Sequence, residues 1–247
     1  MAGGRVIPKQ LRFHLRQLSR WGFKPVSLGQ ALRPCAGRCF AVSFDDAFQD
    51  VFYNALPILQ EFGVKAGVFV VSDFVGKKPG WDVSWGTPGL HMTRDQLLQL
   101  RAVGWEIGSH TLSHPDLTAV SDQSLQRELV DSKAALEDLL SEEIRFFSYP
   151  FGRFNKKVRD AVEAAGYQAA FTMRRGADLR WTDPMLIPRM SVYLPDYSLY
   201  RKMEPMYAGL DAAIERFINM NAKGTSWVRH KLPWLGRLLG MSRELPG

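Results

Sequence analysis

The sequence predicts an α/β fold built on a parallel sheet, and three observations lead there. Apolar runs of strand length alternate with helical patterns from residue 40 to residue 193. Helix-starting side chains and closing glycines punctuate the chain, as at Thr93 and Gly104, Ser121, and Asn155 and Gly166. Polar clusters fall where three strands end, at Asp45–Asp46, at His110 and at residues 148–152. Such a sheet is either barrel-like or doubly wound. In a barrel, reactive groups gather at the C-terminal ends of the strands, so clusters far apart in sequence can share one face.

The elements follow in order. Residues 8–21 place Leu11, Leu15 and Leu18 on one face and Arg or Gln on the other, an amphipathic helix with Pro8 near its start. Residues 40–45 are a strand. Residues 51–62 read as a helix with Pro57 as a kink or early turn. "KAGVFVVS" (65–72) is a buried strand, followed by a long loop rich in Gly, Pro and Trp (73–89). Helix 92–104, strand 105–110, helix 121–140, strand 144–149 and helix 155–166 succeed one another. Segments 168–173 and 186–193 read as two further strands, and 209–220 as a last helix. No internal repeat or low-complexity segment is visible.

A length of 247 residues with 46% hydrophobic content suits one large domain, here drawn over 1–200, with a basic helical extension over 201–247. The net charge of +7 is uneven. Residues 1–34 hold seven Lys or Arg and no acid, residues 35–200 hold 17 basic and 21 acidic residues, and residues 201–247 hold eight and four. Basic ends suit an anionic surface or polymer, or are a solvated face. No helix-turn-helix, zinc-finger or RNP-like pattern supports specific nucleic-acid binding. The start has no apolar signal-peptide core, and no run of about 18 apolar residues predicts a membrane span. The location is therefore left open between cytoplasm and cell envelope, and the oligomeric state is not addressed. Cys35 and Cys39 are expected to be free thiols, since a lone C-x3-C lacks a second ligand pair for zinc.

The chemistry begins with "AVSFDDAFQD" (41–50), where a buried strand ends in adjacent carboxylates, Asp45 and Asp46. Like charges this close repel, so a positive partner is expected. "GSHTLSHPDL" (108–117) carries His110 and His114 at i, i+4, a spacing that puts both rings on one side of a helical turn, limited by Pro115. Two histidines and one carboxylate make a divalent-metal set, suited to Zn²⁺ or to Fe²⁺, Co²⁺, Mn²⁺ or Ni²⁺. One Asp then binds metal while the other stays ionised as a base.

With these residues in hand, the chain resembles the polysaccharide deacetylases of the NodB-homology group, carbohydrate esterase family 4, in their exopolysaccharide branch. "SFDDAF" looks like the family's [TS]-F-D-D motif, "HTLSHPDL" like H-[ST]-x-x-H, and "YPFG" (149–152) like its third motif. The resemblance spans about residues 8–195 in the family's order. It implies a distorted (β/α) barrel with fewer than eight complete repeats. It also implies a metal-dependent hydrolase that removes acetyl groups from N-acetylated amino sugars in a polysaccharide or glycan precursor. By position, Asp45 is the general base, Asp46, His110 and His114 hold the metal and its catalytic water, and the Phe151 N–H helps hold the oxyanion.

Departures from the pattern shape further expectations. Many members carry Arg where this chain has Ser148, and Arg189 is the candidate to pair with the base instead. The late L-x-x-H is absent, the only later histidine being His230, so the general acid is unassigned unless Asp45 returns the proton. The first strand with a Tyr–His pair that often precedes the first helix has no counterpart here. Trp81 and Trp85 are candidates for stacking on sugar faces or for packing under the 73–89 loop, and Tyr149 is a substrate-binding candidate with packing as its other reading. His91 is a further ligand candidate. Asp183 is expected to orient Arg189 or shape a turn, Ser43 to bond a carboxylate or end its strand, and His14 to face solvent. Trp227, Trp234 and Leu235 in the basic tail suit either an anionic membrane surface or packing on the barrel. Two rival functions use the same residues: an O-acetyl esterase acting on a glycan, and an inactive glycan-binding barrel.

Overall fold

The structure, a computed structural model, describes residues 6–78, 89–173 and 181–192. Its elements are α1 (Pro8–Arg20), β1 (Lys24–Pro25), α2 (Leu28–Ala31), β2 (Cys39–Phe40), β3 (Ser43–Phe44), α3 (Leu56–Glu61), β4 (Gly67–Val70), α4 (Arg94–Ala102), β5 (Glu106–Ser109), α5 (Asp122–Leu140), β6 (Phe146–Ser148), α6 (Lys156–Ala164), β7 (Ala169–Thr172) and β8 (Ile187–Pro188). Strands β3 to β8 pair in sequence order, every pair parallel, while β1 and β2 form a small parallel pair of their own. The six-stranded sheet curls with its helices into a partial (β/α) barrel.

Alternation along the strands builds two apolar layers. Val68, Val70, Ile107, Phe147 and Ala170 join the larger core with the helices. Phe69, Phe146, Phe171 and Ile187 form a second cluster with Leu28. Gly108 on β5 leaves room for this layer, since a Cβ there would lie 2.6 Å from the Phe69 ring and 2.9 Å from the Phe146 carbonyl oxygen.

Local chemistry accounts for the helix ends. Thr93 and Ser27 each close a capping box, with Gln96 and Gln30 respectively. Ser121 and Asn155 cap α5 and α6, and Gly104 and Gly166 end α4 and α6 in the left-handed region. Residues Val51–Ala55 form a π turn before α3. Pro57 has no N–H to offer the Tyr53 carbonyl, so the regular register cannot run through it.

The structure corrects several expectations. The 40–45 strand is two strands, because Phe40 pairs with β1 whereas Ser43 has already crossed to β4. The 186–193 strand narrows to Ile187–Pro188, since Pro188 cannot donate to a neighbour. Cys35 and Cys39 are joined in a disulfide, their Cα atoms 6.3 Å apart. His14 is buried rather than solvent-facing, because α1 turns it inward beside Leu15. Elements β1 and α2 went unread, although Ser27 and Gln30 carry an S-x-x-Q capping signal. The 209–220 helix, the 201–247 extension, His230 and the tail aromatics lie outside the described residues.

Candidate metal centre

The site assembles at the C-terminal ends of β3, β5, β6 and β8. After Phe44 the chain leaves β3 through two successive left-handed residues, Asp46 (φ 68°) and Ala47 (φ 53°). Three bonds from residues 90–92 hold this turn. Met92 N–H donates to the Ala47 carbonyl (2.7 Å), Gln49 N–H to the Leu90 carbonyl (2.8 Å), and buried His91 donates through Nδ1 to the Asp46 carbonyl (2.6 Å). His91 packs against Phe48 and Phe74, and burial pushes its pKa down to about 4. It touches the site through the Asp46 backbone.

Asp46 Oδ1 lies 3.7 Å from His110 Nε2 and 3.6 Å from His114 Nε2. The three side chains offer ligand atoms all within 4.8 Å of one another. His110 Nδ1 donates to the Ser148 carbonyl at 2.7 Å, which leaves the Nε2 lone pair facing Asp46. Burial pushes His110 below the ordinary histidine value despite Asp45, and burial with the neighbouring His110 pushes His114 well below it. Neutral imidazoles beside a carboxylate are the donor set a divalent cation requires, so the residues fit one.

The two histidines do not sit on a helical turn, a correction to the sequence reading. Thr111 (φ 73°) and His114 (φ 61°) are left-handed, and the Thr111 hydroxyl accepts from the His114 N–H at 2.9 Å. The loop, not a helix, brings both rings to Asp46.

Asp45 lies beside this triad with its own cation. Arg189 donates to Asp45 Oδ1 at 2.8 Å and Oδ2 at 2.9 Å, a bidentate pair. The same guanidinium donates to Ser43 Oγ (3.0 Å) and Ser148 Oγ (2.6 Å), and stacks over Phe69 and Phe171 at 5.1 and 5.9 Å. Burial pushes the Asp45 carboxyl up, but Arg189, His110 and the Ser148 bond outweigh it and bring the value down to about 2. Ser148 thus becomes a rest for the Arg189 fork.

Phe151 lies in the 150–152 turn in a left-handed conformation (φ 58°, ψ 11°), and its ring meets the His114 ring edge-on at 4.7 Å. Arg153 donates to Asp116 and stacks over Phe151 at 5.6 Å, tying this turn to the loop that bears His114. Tyr149 takes the packing reading: it is fully buried in the core and donates to the Met185 carbonyl at 3.0 Å. Asp183 takes the turn-shaping reading rather than the Arg189 one. It pairs with Arg159 at 2.9 Å and accepts from Met185 N–H, away from Arg189. Trp81 and Trp85 lie outside the described residues.

A curled parallel sheet gathers two imidazoles and two carboxylates at the C-terminal rim of a partial (β/α) barrel, and three of these side chains form a donor set that suits a divalent cation. Residues 33–170 match the family described as polysaccharide deacetylase. The chain belongs to this family, the NodB-homology or carbohydrate esterase 4 group, and its relatives include enzymes of exopolysaccharide. It is 30% identical over 183 residues to YxkH of Bacillus subtilis (strain 168), whose name assigns it provisionally to the polysaccharide deacetylases; the match covers 71% of this chain and 61% of YxkH. It is 26% identical to the poly-β-1,6-N-acetyl-D-glucosamine N-deacetylase of Staphylococcus epidermidis, over 61% of this chain and 53% of that protein. The chain therefore spans somewhat over half the length of these curated relatives. Two solved structures share the fold. The deacetylase PplD of Streptococcus pyogenes, in complex with acetate, has a TM-score of 0.67 at 23% identity and covers 81% of this chain and 88% of its own. IcaB from Ammonifex degensii has a TM-score of 0.63 at 22% identity and covers 81% and 87%.

Proposed function

We propose that this chain is a metal-dependent de-N-acetylase that acts on an acetylated amino sugar in a polysaccharide or glycan precursor. The observation that carries the reading is the pairing of Asp45 with Arg189 beside the Asp46–His110–His114 cluster. One carboxylate is thereby kept ionised by its own cation, while the other is left to join the imidazoles.

Asp46, His110 and His114 would hold the ion. A divalent cation there, zinc being the best fit to two imidazoles and a carboxylate, supplies Lewis acidity to the acyl carbonyl and makes water easier to deprotonate. Asp45 accepts the proton of the attacking water at a carboxylate oxygen. The Phe151 N–H is the proposed donor to the carbonyl oxygen as negative charge develops on it. The C–N bond breaks, Asp45 returns its proton to the leaving nitrogen, and acetate and a free amine form. Arg189 keeps Asp45 oriented and charged between these transfers.

The test is acetate release from a panel of N-acetylated glycans, with and without chelator. Chelator-sensitive release that Asp45→Asn lowers by about 10²–10⁴-fold without loss of bound metal is expected. Release only from O-acetylated substrates would move the chain to the esterase reading, and no release with full zinc occupancy would leave a glycan-binding barrel. The basic segments 1–34 and 201–247 are proposed to contact an anionic membrane surface. Cosedimentation with anionic but not neutral vesicles, lost at high salt, is the expected result.

A further inference from the structure

Helix α5 turns one acidic residue toward the site. Its core-facing stripe runs Leu125, Leu129, Ser132, Leu136 and Leu140, and Glu128 lies on that stripe, 9% exposed. A buried carboxylate is costly unless its oxygens are satisfied. Glu128 finds its partners in the loop between the two candidate histidine ligands. Its Oε2 accepts from the Leu112 and Ser113 N–H groups, both at 2.9 Å, and its Oε1 accepts from the Ser113 hydroxyl at 2.6 Å.

That loop has no regular ladder of its own. Thr111 and His114 are left-handed, and the two amides between them bond to the Glu128 side chain. On the other side, Ser72 N–H donates to the Thr111 carbonyl (3.2 Å) and Asp73 N–H to the Leu112 carbonyl (3.0 Å). The carbonyls are thus held from the turn that follows β4 and the amides from α5. A single oxygen that accepts two successive N–H groups fixes the peptide planes, and with them the direction in which His114 leaves the loop.

We propose that Glu128 is a positioning residue of the metal site, which locks the 111–114 loop so that His114 faces Asp46 beside His110 before an ion arrives. The inference rests on reading Asp46, His110 and His114 as ligands. Glu128 touches neither ion nor substrate. Its effect is preorganisation: without it the loop spends part of its time with the rings apart, and binding must first gather them.

Zinc affinity, measured on the folded metal-free protein by competition with a chromophoric chelator, tests this. Glu128→Gln keeps the size but sets an amide NH2 or a lone carbonyl against three donors. It is expected to weaken zinc about 10–100-fold, with activity recovering at saturating zinc. A folded Glu128→Gln protein that binds zinc as tightly as wild type, even one that melts earlier, would overturn the proposal, since a purely structural carboxylate alters melting alone. If Glu128→Gln does not fold, Ser113→Ala decides: it removes one of the three bonds and is expected to weaken zinc about two- to tenfold, and unchanged affinity would overturn the idea. Wild-type protein that takes up no zinc would instead sink the ligand assignment itself.

Discussion

Asp45 draws its nearest counter-charge from a residue 144 positions away, and that dependence makes Arg189 testable by pH. The carboxyl is depressed to about 2, below its ordinary 3.8. The stability this pairing contributes is present in full above the unfolded value and is lost as pH falls through the folded one. Arg189→Met removes the counter-charge and two of the bonds to Asp45 while burial continues to favour the neutral acid. The acidic limb of the kcat/KM profile is therefore expected to move to higher pH, with kcat reduced even at its optimum. An unmoved limb would show that Asp45 is not the base. The adjacent pair "DD" was legible as chemistry from sequence, as was the need for a positive partner. The pairing geometry was not, because nothing in the string of residues aims β8 at β3. Tyr149 had two readings in the sequence, and a hydroxyl that satisfies a buried carbonyl favours packing.

Among the elements, β5 and the loop behind it decide the site. Gly108 permits Phe69 and Phe146 to close over β5 two residues before His110. Gly108→Ala forces a Cβ against a ring and a backbone carbonyl, and is expected to cost about 1–3 kcal/mol, read as a lower melting temperature in the metal-free protein. A melt equal to wild type would mean that the layer yields at no cost. The strands β4 to β7 and helices α4 to α6 were readable because period, caps and closing glycines agree there. The His110–His114 segment was misread as a helical turn because i, i+4 spacing is shared by helices and by loops that fold back. What separates the two is φ at Thr111 and His114, supported by the local Thr111 hydroxyl bond and by Glu128 and Ser72, which reach the loop from elsewhere in the fold. A glutamate within the apolar stripe of α5 was the available signal for that support, since an acid on a core face needs donors.

For the molecule as a whole, the ion is expected to join parts of the chain far apart in sequence, Asp46 after β3 with His110 and His114 after β5. A ligand that binds only the folded state stabilises it by mass action, about 2.7 kcal/mol at a hundredfold excess over its Kd. For a chain of this size, chelation is therefore expected to lower the melting temperature by about 5–11 °C, and His110→Ala to abolish that difference. An identical melt with and without chelator would remove the ion from the folded structure. Among the described residues no helix is long and apolar enough to cross a membrane. The sequence by itself determined the alternation of strands and helices, the three reactive clusters and the family they belong to, because periodicity, caps and motif spacing are local properties. Only the tertiary structure decided that Arg189 pairs with Asp45, that left-handed backbone at Thr111 and His114 rather than a helix links the two imidazoles, that Tyr149 packs in the core, and that Asp183 caps a turn and pairs with Arg159. Those outcomes depend on which strand ends meet across the curled sheet, and such long-range contacts leave no period in the chain.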